Sequence, residues 1–286
     1  MHSSCSMAPV EARTSKQLVD LVRYPLTRLQ SPQGRALVAT KKRQLYEHGA
    51  CSLNGFLRPA ALRACVAEIE PLMESCSFHH VQQHNIYFVK SGDGEAATRG
   101  LLNRTLTTSN HALTCDRLDG TTIRQIYEWP ALCAFLAQVL DKPALFPMAD
   151  PLARLNVMGY GEDDRIGWHF DRAAFTVTLL LQEAETGGVF EYRRNLRAPD
   201  DPNHDGVARL LAGEDTQVRQ LRLEPAALNV FVGHRSPHRI TPVGGARKRL
   251  IAILSFTEDS DVMFSSGDRE QFYGRAQPVT GRPVSE

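Results

Sequence analysis

The sequence predicts an α+β protein in which a helical N-terminal half supports a β-rich C-terminal half. From about residue 15 to residue 75, apolar side chains recur at spacings of three and four, as they do on one face of a helix. From residue 152 onward, short apolar or alternating segments are separated by turns, and no helices are expected between them. Closely spaced strands of this kind are typical of an antiparallel sandwich or jelly roll.

The N-terminal half carries the helical patterns. Residues 1–14 have the composition of a flexible tail, and helices are expected in the segments 15–24, 34–49 and 59–76. The last of these opens on proline, which the first turn of a helix tolerates. An apolar stripe along it should pack against the rest of the domain, and its members are Leu62, Val66, Ile69 and Leu72. A further short helix is expected at 130–140.

The middle and the C-terminal half are expected to contain strands and loops. A strand is predicted at Ile86–Val89, followed by a loop at 91–100, and the Asp-, Pro- and Gly-rich segment 198–215 predicts a long surface loop. The segments with strand character are ARLNVMGY, FTVTLLLQ, VFEYR, VRQLRLEP, ALNVFVG and RLIAILSF. We expect one folded unit over 15–286: a support region at 15–150, a β core at 151–260 and a C-terminal extension at 261–286.

Composition excludes several classes of function. The net charge is +1, which gives no electrostatic basis for binding nucleic acid or an acidic membrane surface. No apolar run is long enough to cross a bilayer, and the first residues lack the apolar centre of a signal peptide, so a cytoplasmic protein is expected. The 6 cysteines form no CxxC pair, which argues against a zinc knuckle and against a disulfide framework.

The residues that predict chemistry begin with the pair His169 and Asp171 in the segment GWHFDRAAF. On an extended strand, residues two apart point to the same side, so both side chains could bind one metal ion. Imidazole and carboxylate ligands suit Fe(II), and a second imidazole would complete a facial triad that leaves positions open. Two residues could provide it, His234 and His238, and we favour His238 because a turn leads from it into the final apolar strand.

Three motifs resemble the 2-oxoglutarate/Fe(II) dioxygenase superfamily. They are NVMGYGEDDRIGWHFD, TGGVFEY and GHRSPHRITPV…RKRLIAILSF, and together they cover about a third of the chain. The resemblance implies a double-stranded β-helix, a cupin-like form of the jelly roll, and a single oxygenase domain. It also implies Fe(II) and 2-oxoglutarate as cofactors, with O₂ consumed. Within the superfamily, HFDRAAFTVTLLLQ and HRITPV are most similar to a branch of free amino-acid hydroxylases and radical halogenases.

One departure from that branch decides between its two chemistries. The halogenases have glycine at the position of the carboxylate ligand, which makes room for chloride on the iron. This sequence has Asp171 there. The resemblance therefore implies hydroxylation of an unactivated C–H bond in a free amino acid or similar small molecule, with release of succinate and CO₂.

The resemblance also implies residues for the co-substrate. The distal carboxylate of 2-oxoglutarate needs a fixed cation, and an arginine fork is the usual solution. Arg249 is the first choice, because it begins the strand RLIAILSF, and Arg247 is the second. Tyr160 and Asn156, on the strand before the HxD pair, are further candidates for hydrogen bonds to 2-oxoglutarate.

Candidates for substrate contacts lie near the ligands. Arg172 could bind a substrate carboxylate if the turn after Asp171 twists. Ser255 could face the pocket, and Trp168 could pack against the wall of the site. A polar cluster in the N-terminal half could also contribute, although a hydrated helix end is the simpler interpretation. Its members are His79, His80, His84 and Asn85.

Other functions remain open at this point. A hydroxylase of prolyl or lysyl side chains would need an open groove and flexible loops, and 198–215 could provide one. A β-roll that binds metal without turnover belongs to another class. A zinc hydrolase is disfavoured because no glutamate base adjoins the ligands as in HExxH. The N-terminal helices could pair subunits in a homodimer.

Overall fold

The computed structural model describes residues 14–88 and 100–279, and within these ranges it contains both helices and β strands. The helices are α1 Ser15–Leu18, α2 Pro32–His48, α3 Pro59–Cys76, α4 Thr122–Tyr127, α5 Pro130–Val139, α6 His204–Ala212 and α7 Ser266–Tyr273. The strands are β1 Ala50–Leu53, β2 Phe78–His84, β3 Leu106–Thr114, β4 Phe146–Pro147, β5 Leu155–Tyr160, β6 Ile166–His169, β7 Thr176–Gln182, β8 Thr186–Gly187, β9 Phe190–Tyr192, β10 Arg219–Leu221, β11 Leu228–Phe231, β12 His238–Ile240, β13 Val243–Gly244, β14 Arg249–Leu254 and β15 Phe256–Thr257.

Two antiparallel sheets form the core. The larger has seven strands in the order β1-β11-β7-β14-β5-β3-β2, and the smaller has four in the order β10-β9-β12-β6. Alternate residues of the larger sheet, such as Leu155 and Val157, pack against the helices in one apolar core. Residues that point to the opposite face of the same sheet, such as Tyr160 and Ile251, pack with side chains from the region of β6 and β10. The predicted α+β jelly roll is confirmed.

Helix α2 begins and ends where its sequence provides caps. In α2, the Ser31 hydroxyl accepts a hydrogen bond from the Gly34 N–H, and Gly49 ends the helix with a φ of 73°.

In α3, the most buried side chains are one residue away from the expected stripe, apart from Ile69, which belongs to both. The fully buried line is Ala61, Cys65, Ile69 and Met73. Leu62, Val66 and Leu72 pack at its edge.

The N-terminal half contains more strands than the one that the sequence predicted there. Strands β1, β2 and β3 all lie before residue 115 and supply three of the seven strands of the larger sheet. The strand expected at Ile86–Val89 is wrong in its described part, because β2 ends at His84 and a turn follows. Val89 and residues 91–99 of the expected loop lie outside the described residues. Strand β2 has the sequence FHHVQQH, so its buried face is polar and lacks the apolar alternation that predicts a strand.

The expected surface loop at 198–215 contains helix α6, which is a further correction. Asn203 accepts a hydrogen bond from the Gly206 N–H at its start, and Gly213 ends it with a φ of 81°. Its side chains Leu210 and Leu211 are buried in an apolar cluster. The caps and the apolar spacing were present in the sequence, but the surrounding Asp and Pro residues masked them.

The C-terminal segment is fastened to the larger sheet by buried polar contacts. Arg269 Nε donates to Asp150 Oδ2 at 2.8 Å, and both side chains are buried. Asp150 also accepts hydrogen bonds from the N–H groups of Leu152 and Ala153. Burial would raise the pKa of Asp150, but these N–H groups and Arg269 more than offset that effect and lower it. Helix α7 therefore lies beside β2 and β3 as a fixed part of the fold.

A search for membrane spans in residues 14–88 and 100–279 finds no helix with the length and apolarity that crossing a bilayer requires.

We expect Asp150→Ala to lower the free energy of unfolding by about 3–5 kcal/mol, because it leaves the buried Arg269 without its counter-charge. Urea unfolding followed by circular dichroism measures the change. Lys42→Ala is the matched control. It breaks the Lys42–Asp141 ion pair, which is 2.7 Å long and has side chains that are 39% and 86% exposed, and it should cost less than about 1 kcal/mol. Equal effects of the two substitutions would contradict this role for Asp150.

Candidate metal centre

The smaller sheet brings two imidazoles together. His169 ends β6 and His238 begins β12, and the two residues are direct partners in the antiparallel register. Their ring centroids lie 4.1 Å apart. Asp171 follows β6 by two residues, and its Oδ1 atom lies 3.6 Å from His169 Nε2 and 3.4 Å from His238 Nε2. The three side chains offer ligand atoms within 4.8 Å of one another, whereas the His234 side chain is exposed.

Backbone carbonyls fix the tautomer of both histidines. His169 Nδ1 lies 2.9 Å from the Gly167 carbonyl oxygen, and His238 Nδ1 lies 3.1 Å from that of Ser236. A carbonyl oxygen can only accept, so each Nδ1 carries the proton and donates it. Each Nε2 atom therefore keeps its lone pair, and both lone pairs face Asp171.

The Asp171 carboxylate is held on both sides. Thr176 Oγ1 donates a 2.7 Å hydrogen bond to Oδ2, and the backbone N–H of Asp171 donates to the Gly233 carbonyl at 3.3 Å. A Cβ atom at Gly233 would overlap Asp171 Oδ2. The site thus needs a residue without a side chain at position 233.

Burial and the neighbouring charges set the protonation states. Burial, followed by the proximity of His238, lowers the pKa of His169 to about 4, so its imidazole is neutral at pH 7. Burial alone would raise the pKa of Asp171, but the two imidazoles, His238 first, hold it well below its usual value. Two neutral imidazoles and an ionised carboxylate are the forms in which these side chains bind a divalent metal.

Aromatic rings enclose the two imidazoles, and sequence reasoning missed them. Phe88 has its centroid 4.7 Å from that of His169, and Phe190 and Phe231 lie 5.3 Å and 4.8 Å from His238. Phe190 and Phe231 are at inward positions of strands, so alternation in VFEY and NVFVG could have indicated them. Phe88 has a φ of 59°, and no sequence pattern signals that conformation.

Arg249 is a buried cation without an ion-pair partner among the described residues. It is 4% exposed and lies directly opposite Tyr160 in the β14–β5 register. Its guanidinium carbon is 5.7 Å from the centroid of the Tyr160 ring, and its Nη1 atom has no hydrogen-bond partner. Burial lowers the pKa of Arg249, with Tyr160 and Glu183 acting in the opposite direction. A buried, incompletely paired guanidinium is costly unless an anionic ligand satisfies it.

The two other expected co-substrate residues are engaged elsewhere. Arg247 is exposed and donates to the backbone carbonyls of Glu183 and Ala184. Asn156 is buried, but its amide donates to two backbone carbonyls and its oxygen accepts from the Tyr273 hydroxyl. The hydrogen-bonding groups of both side chains are used within the fold, and their roles toward 2-oxoglutarate stay predictions.

Expected substrate contacts are likewise placed away from the triad. Trp168 points to the opposite side from His169, into the apolar cluster with α6, and Arg239 covers its ring at 4.9 Å. Ser255 Oγ donates to the Ala153 carbonyl. Both side chains make these contacts within the fold, and their roles toward a substrate stay predictions. Arg172 is exposed and pairs with Asp268 of α7 at 2.8 Å, so the structure engages it with the protein's own carboxylate.

The polar cluster of the N-terminal half lies in and just after strand β2, not at a helix end. His80 and His84 are buried and Asn85 follows in the turn. His84 Nε2 is 2.8 Å from Thr108 Oγ1, and the ring of His84 stacks on Phe88 at 4.4 Å. His80 Nδ1 donates to the Gln271 carbonyl of α7. The β2 histidines thus link α7 and the turn at Phe88 to the edge of the larger sheet.

Comparison with known proteins identifies the family. A family model described as Halogenase D matches residues 34–271, which is most of the chain. The chain belongs to the Halogenase D family. No curated protein sequence matches it significantly. The position where halogenases of the resembling branch have glycine is occupied in this Halogenase D family member by Asp171.

Solved structures show the same fold at low sequence identity. The non-heme alpha-ketoglutarate-dependent epimerase SnoN from nogalamycin biosynthesis aligns with a TM-score of 0.52 and 14% identity, over 78% of this chain and 83% of SnoN. AviO1 from Streptomyces viridochromogenes Tue57 aligns with a TM-score of 0.52 and 16% identity, over 77% of this chain and 94% of AviO1. This Halogenase D family member therefore shares its fold with SnoN and AviO1.

We expect Gly233→Ala to weaken binding of a divalent metal by about tenfold or more, since the added methyl group displaces the Asp171 carboxylate. Anaerobic titration with Fe(II), or titration with Co(II), gives the dissociation constant. Gly267→Ala is the control, because a Cβ there meets only the Ser265 hydroxyl, at 3.9 Å. If Gly233→Ala binds metal as tightly as the wild type, the close approach to Asp171 is not a requirement of the site.

Proposed function

We propose that this protein is an Fe(II)- and 2-oxoglutarate-dependent oxygenase that hydroxylates an unactivated C–H bond of a free amino acid or similar small molecule. The observation that carries the proposal is the meeting of His169, Asp171 and His238 at distances suited to one metal ion. The buried Arg249, which lacks an ion-pair partner in the described part of the chain, provides a site for the co-substrate.

The donor set fits Fe(II). Two neutral imidazoles and one carboxylate are the 2-His-1-carboxylate set that iron oxygenases use, and this set leaves coordination positions for other ligands. The orientation of both Nε2 lone pairs toward Asp171 Oδ1 means that the protein prepares the ligands by hydrogen bonding. Preorganised ligands pay less conformational entropy when the ion binds.

The environment of Arg249 fits the distal carboxylate of 2-oxoglutarate. A buried guanidinium can donate two parallel hydrogen bonds to a carboxylate, and these charge-assisted bonds are strong where water is excluded. The Tyr160 ring lies beside the guanidinium, and its hydroxyl could add a third donor to the same carboxylate. Burial raises the pKa of Tyr160, which keeps the phenol protonated and able to donate.

Bound Fe(II) and 2-oxoglutarate supply the oxidising chemistry, in which R–H, O₂ and 2-oxoglutarate become R–OH, succinate and CO₂. The protein's own residues position the metal and the co-substrate and exclude water. The triad holds the metal, Arg249 and Tyr160 orient the co-substrate, and the rings of Phe88, Phe190 and Phe231 keep water away from the two histidines. Exclusion of water protects a reactive centre from side reactions.

Asp171 supports hydroxylation over halogenation. Its Oδ1 atom lies between the two imidazoles, at the position that must be vacant for a chloride ligand. Thr176 and Gly233 hold the carboxylate there. Membership in the Halogenase D family therefore concerns the scaffold, whereas the ligand at position 171 favours transfer of a hydroxyl group.

A small-molecule substrate is favoured over a protein side chain. The sequence argument for a protein substrate was a flexible loop at 198–215, and the structure has the packed helix α6 within that segment. Resemblance to a branch that acts on free amino acids supports the small-molecule alternative. A metal-binding protein without turnover would have no use for a buried cation such as Arg249, whose burial is costly.

Arg249→Leu should weaken 2-oxoglutarate binding by ~30-fold or more, because loss of one member of a buried charge pair costs about 2–5 kcal/mol and ~1.4 kcal/mol corresponds to tenfold. Isothermal titration of the Zn(II)-loaded protein measures this without turnover. Arg247→Leu removes a cation two residues away that points to solvent and should change the affinity less than about twofold. The reverse ranking would show that Arg247 binds the co-substrate.

A second test concerns the reaction. With Fe(II), 2-oxoglutarate, O₂ and a panel of free amino acids, we expect succinate release above background for at least one amino acid, and a product heavier by one oxygen atom. Mass spectrometry of reactions with and without chloride should show no chlorinated product. A chlorinated product from the wild type would contradict the role given to Asp171. Succinate release with a peptide substrate only would replace the amino-acid proposal.

A further inference from the structure

The two oxygen atoms of the Asp171 carboxylate have different surroundings. Oδ1 faces the Nε2 atoms of His169 and His238 at 3.6 and 3.4 Å. Oδ2 accepts the 2.7 Å hydrogen bond from Thr176 Oγ1 and lies against the backbone of Gly233. We propose that Thr176 is a positioning residue, which holds the carboxylate so that Asp171 binds the metal through Oδ1 alone. This inference rests on the proposed metal-binding function of the triad.

The fold places Thr176 with little freedom. It is the first residue of β7 and lies directly opposite Phe231 of β11, whose ring packs on His238 at 4.8 Å. β-Branched side chains have few rotamers in a strand, so the hydroxyl direction is restricted. The turn between Asp171 and Thr176 closes on this hydrogen bond, which joins the end of β6 to the start of β7.

The hydrogen bond from Thr176 restricts the Asp171 carboxylate because the backbone of Gly233 lies on its other side. The Gly233 carbonyl accepts from the Asp171 N–H at 3.3 Å, so its backbone lies against the aspartate. With the hydroxyl on one side and this backbone on the other, Oδ2 cannot turn toward the imidazoles without losing its donor. Loss of that donor would leave an oxygen of this partly buried carboxylate unpaired, which opposes the rotation.

Binding through one carboxylate oxygen determines how many coordination positions of the metal stay open for the proposed reaction. A facial triad that binds through three atoms leaves three positions of an octahedral ion, two for 2-oxoglutarate and one for O₂. If both carboxylate oxygens bound, one of these positions would be taken. Thr176 would thus preserve the position that O₂ requires, without touching the metal or either reactant.

The test compares Thr176→Val and Thr176→Ser in the full-length protein, with Co(II) as the probe. Valine keeps the shape but removes the donor, and serine keeps the donor. We expect Thr176→Val to weaken Co(II) binding by about 10–100-fold and to change the visible absorption spectrum of the Co(II) protein, which reports coordination. Thr176→Ser should retain wild-type affinity within about threefold, together with the wild-type spectrum.

Thr257→Val is the matched control. Thr257 Oγ1 donates a hydrogen bond of the same 2.7 Å length to the Asp259 carbonyl at an exposed position, so its loss should leave both readouts unchanged. Thermal melts of all variants separate loss of folding from loss of ligand positioning.

Two results would overturn the inference. One is a Thr176→Val protein with wild-type Co(II) affinity and spectrum, and the other is a Thr176→Ser protein as impaired as Thr176→Val. The proposed oxygenase function fails separately, if the wild type binds Co(II) but Fe(II) and 2-oxoglutarate give no turnover with any substrate.

Discussion

The constraint on which the site depends is the position of a partly buried, ionised carboxylate beside two buried imidazoles. A buried charge is tolerated only when it is paired and hydrogen-bonded. Thr176 donates the hydrogen bond to Asp171, and a metal ion bound by Asp171, His169 and His238 would supply the opposite charge. The pairing of β6 with β12 brings the histidines into register, and the start of β7 supplies the hydroxyl. Since the polar contacts come from three strands, the metal centre and the sheet packing are formed together.

This arrangement connects the site to the far edge of the larger sheet. The turn that carries Phe88 is held by a hydrogen bond from the Phe170 N–H to the Ile86 carbonyl, beside His169. The ring of Phe88 contacts His84 of β2, and His80 of the same strand donates to α7. Helix α7 in turn pairs with Arg172, the residue after the Asp171 ligand. The C-terminal helix and the N-terminal strand β2 thus both border the region of the metal centre.

Local sequence patterns predicted the parts of the fold that depend on period and spacing. The jelly roll followed from alternation in segments such as FTVTLLLQ, which became β7, and the start of α3 followed from the position of Pro59. The meeting of His169 and Asp171 followed from the period of two in a strand. His238 was favoured over His234 because His238 lies just before the last strand. The structure places His238 in the triad and His234 at the surface.

Features that depend on tertiary packing could not be predicted in this way. Strand β2 buries His80 and His84, so its polarity hid it, and only the partner strand β3 explains it. Asn156 has the inward position expected of a co-substrate ligand, yet the Tyr273 hydroxyl from a helix over 100 residues away occupies its oxygen. Trp168 adjoins a ligand in sequence, but adjacent strand residues face opposite sides, which places it with α6. Sequence separation carries no information about these contacts.

The most direct measurement of the central claim is the visible absorption of the wild-type protein under anaerobic conditions, as Fe(II) and 2-oxoglutarate are added singly and together. The account predicts a metal-to-ligand charge-transfer band that needs both additions and is lost in Asp171→Ala. A wild-type protein that binds Fe(II) but develops no such band at saturating 2-oxoglutarate would contradict it, and the metal centre would then belong to a protein of another function.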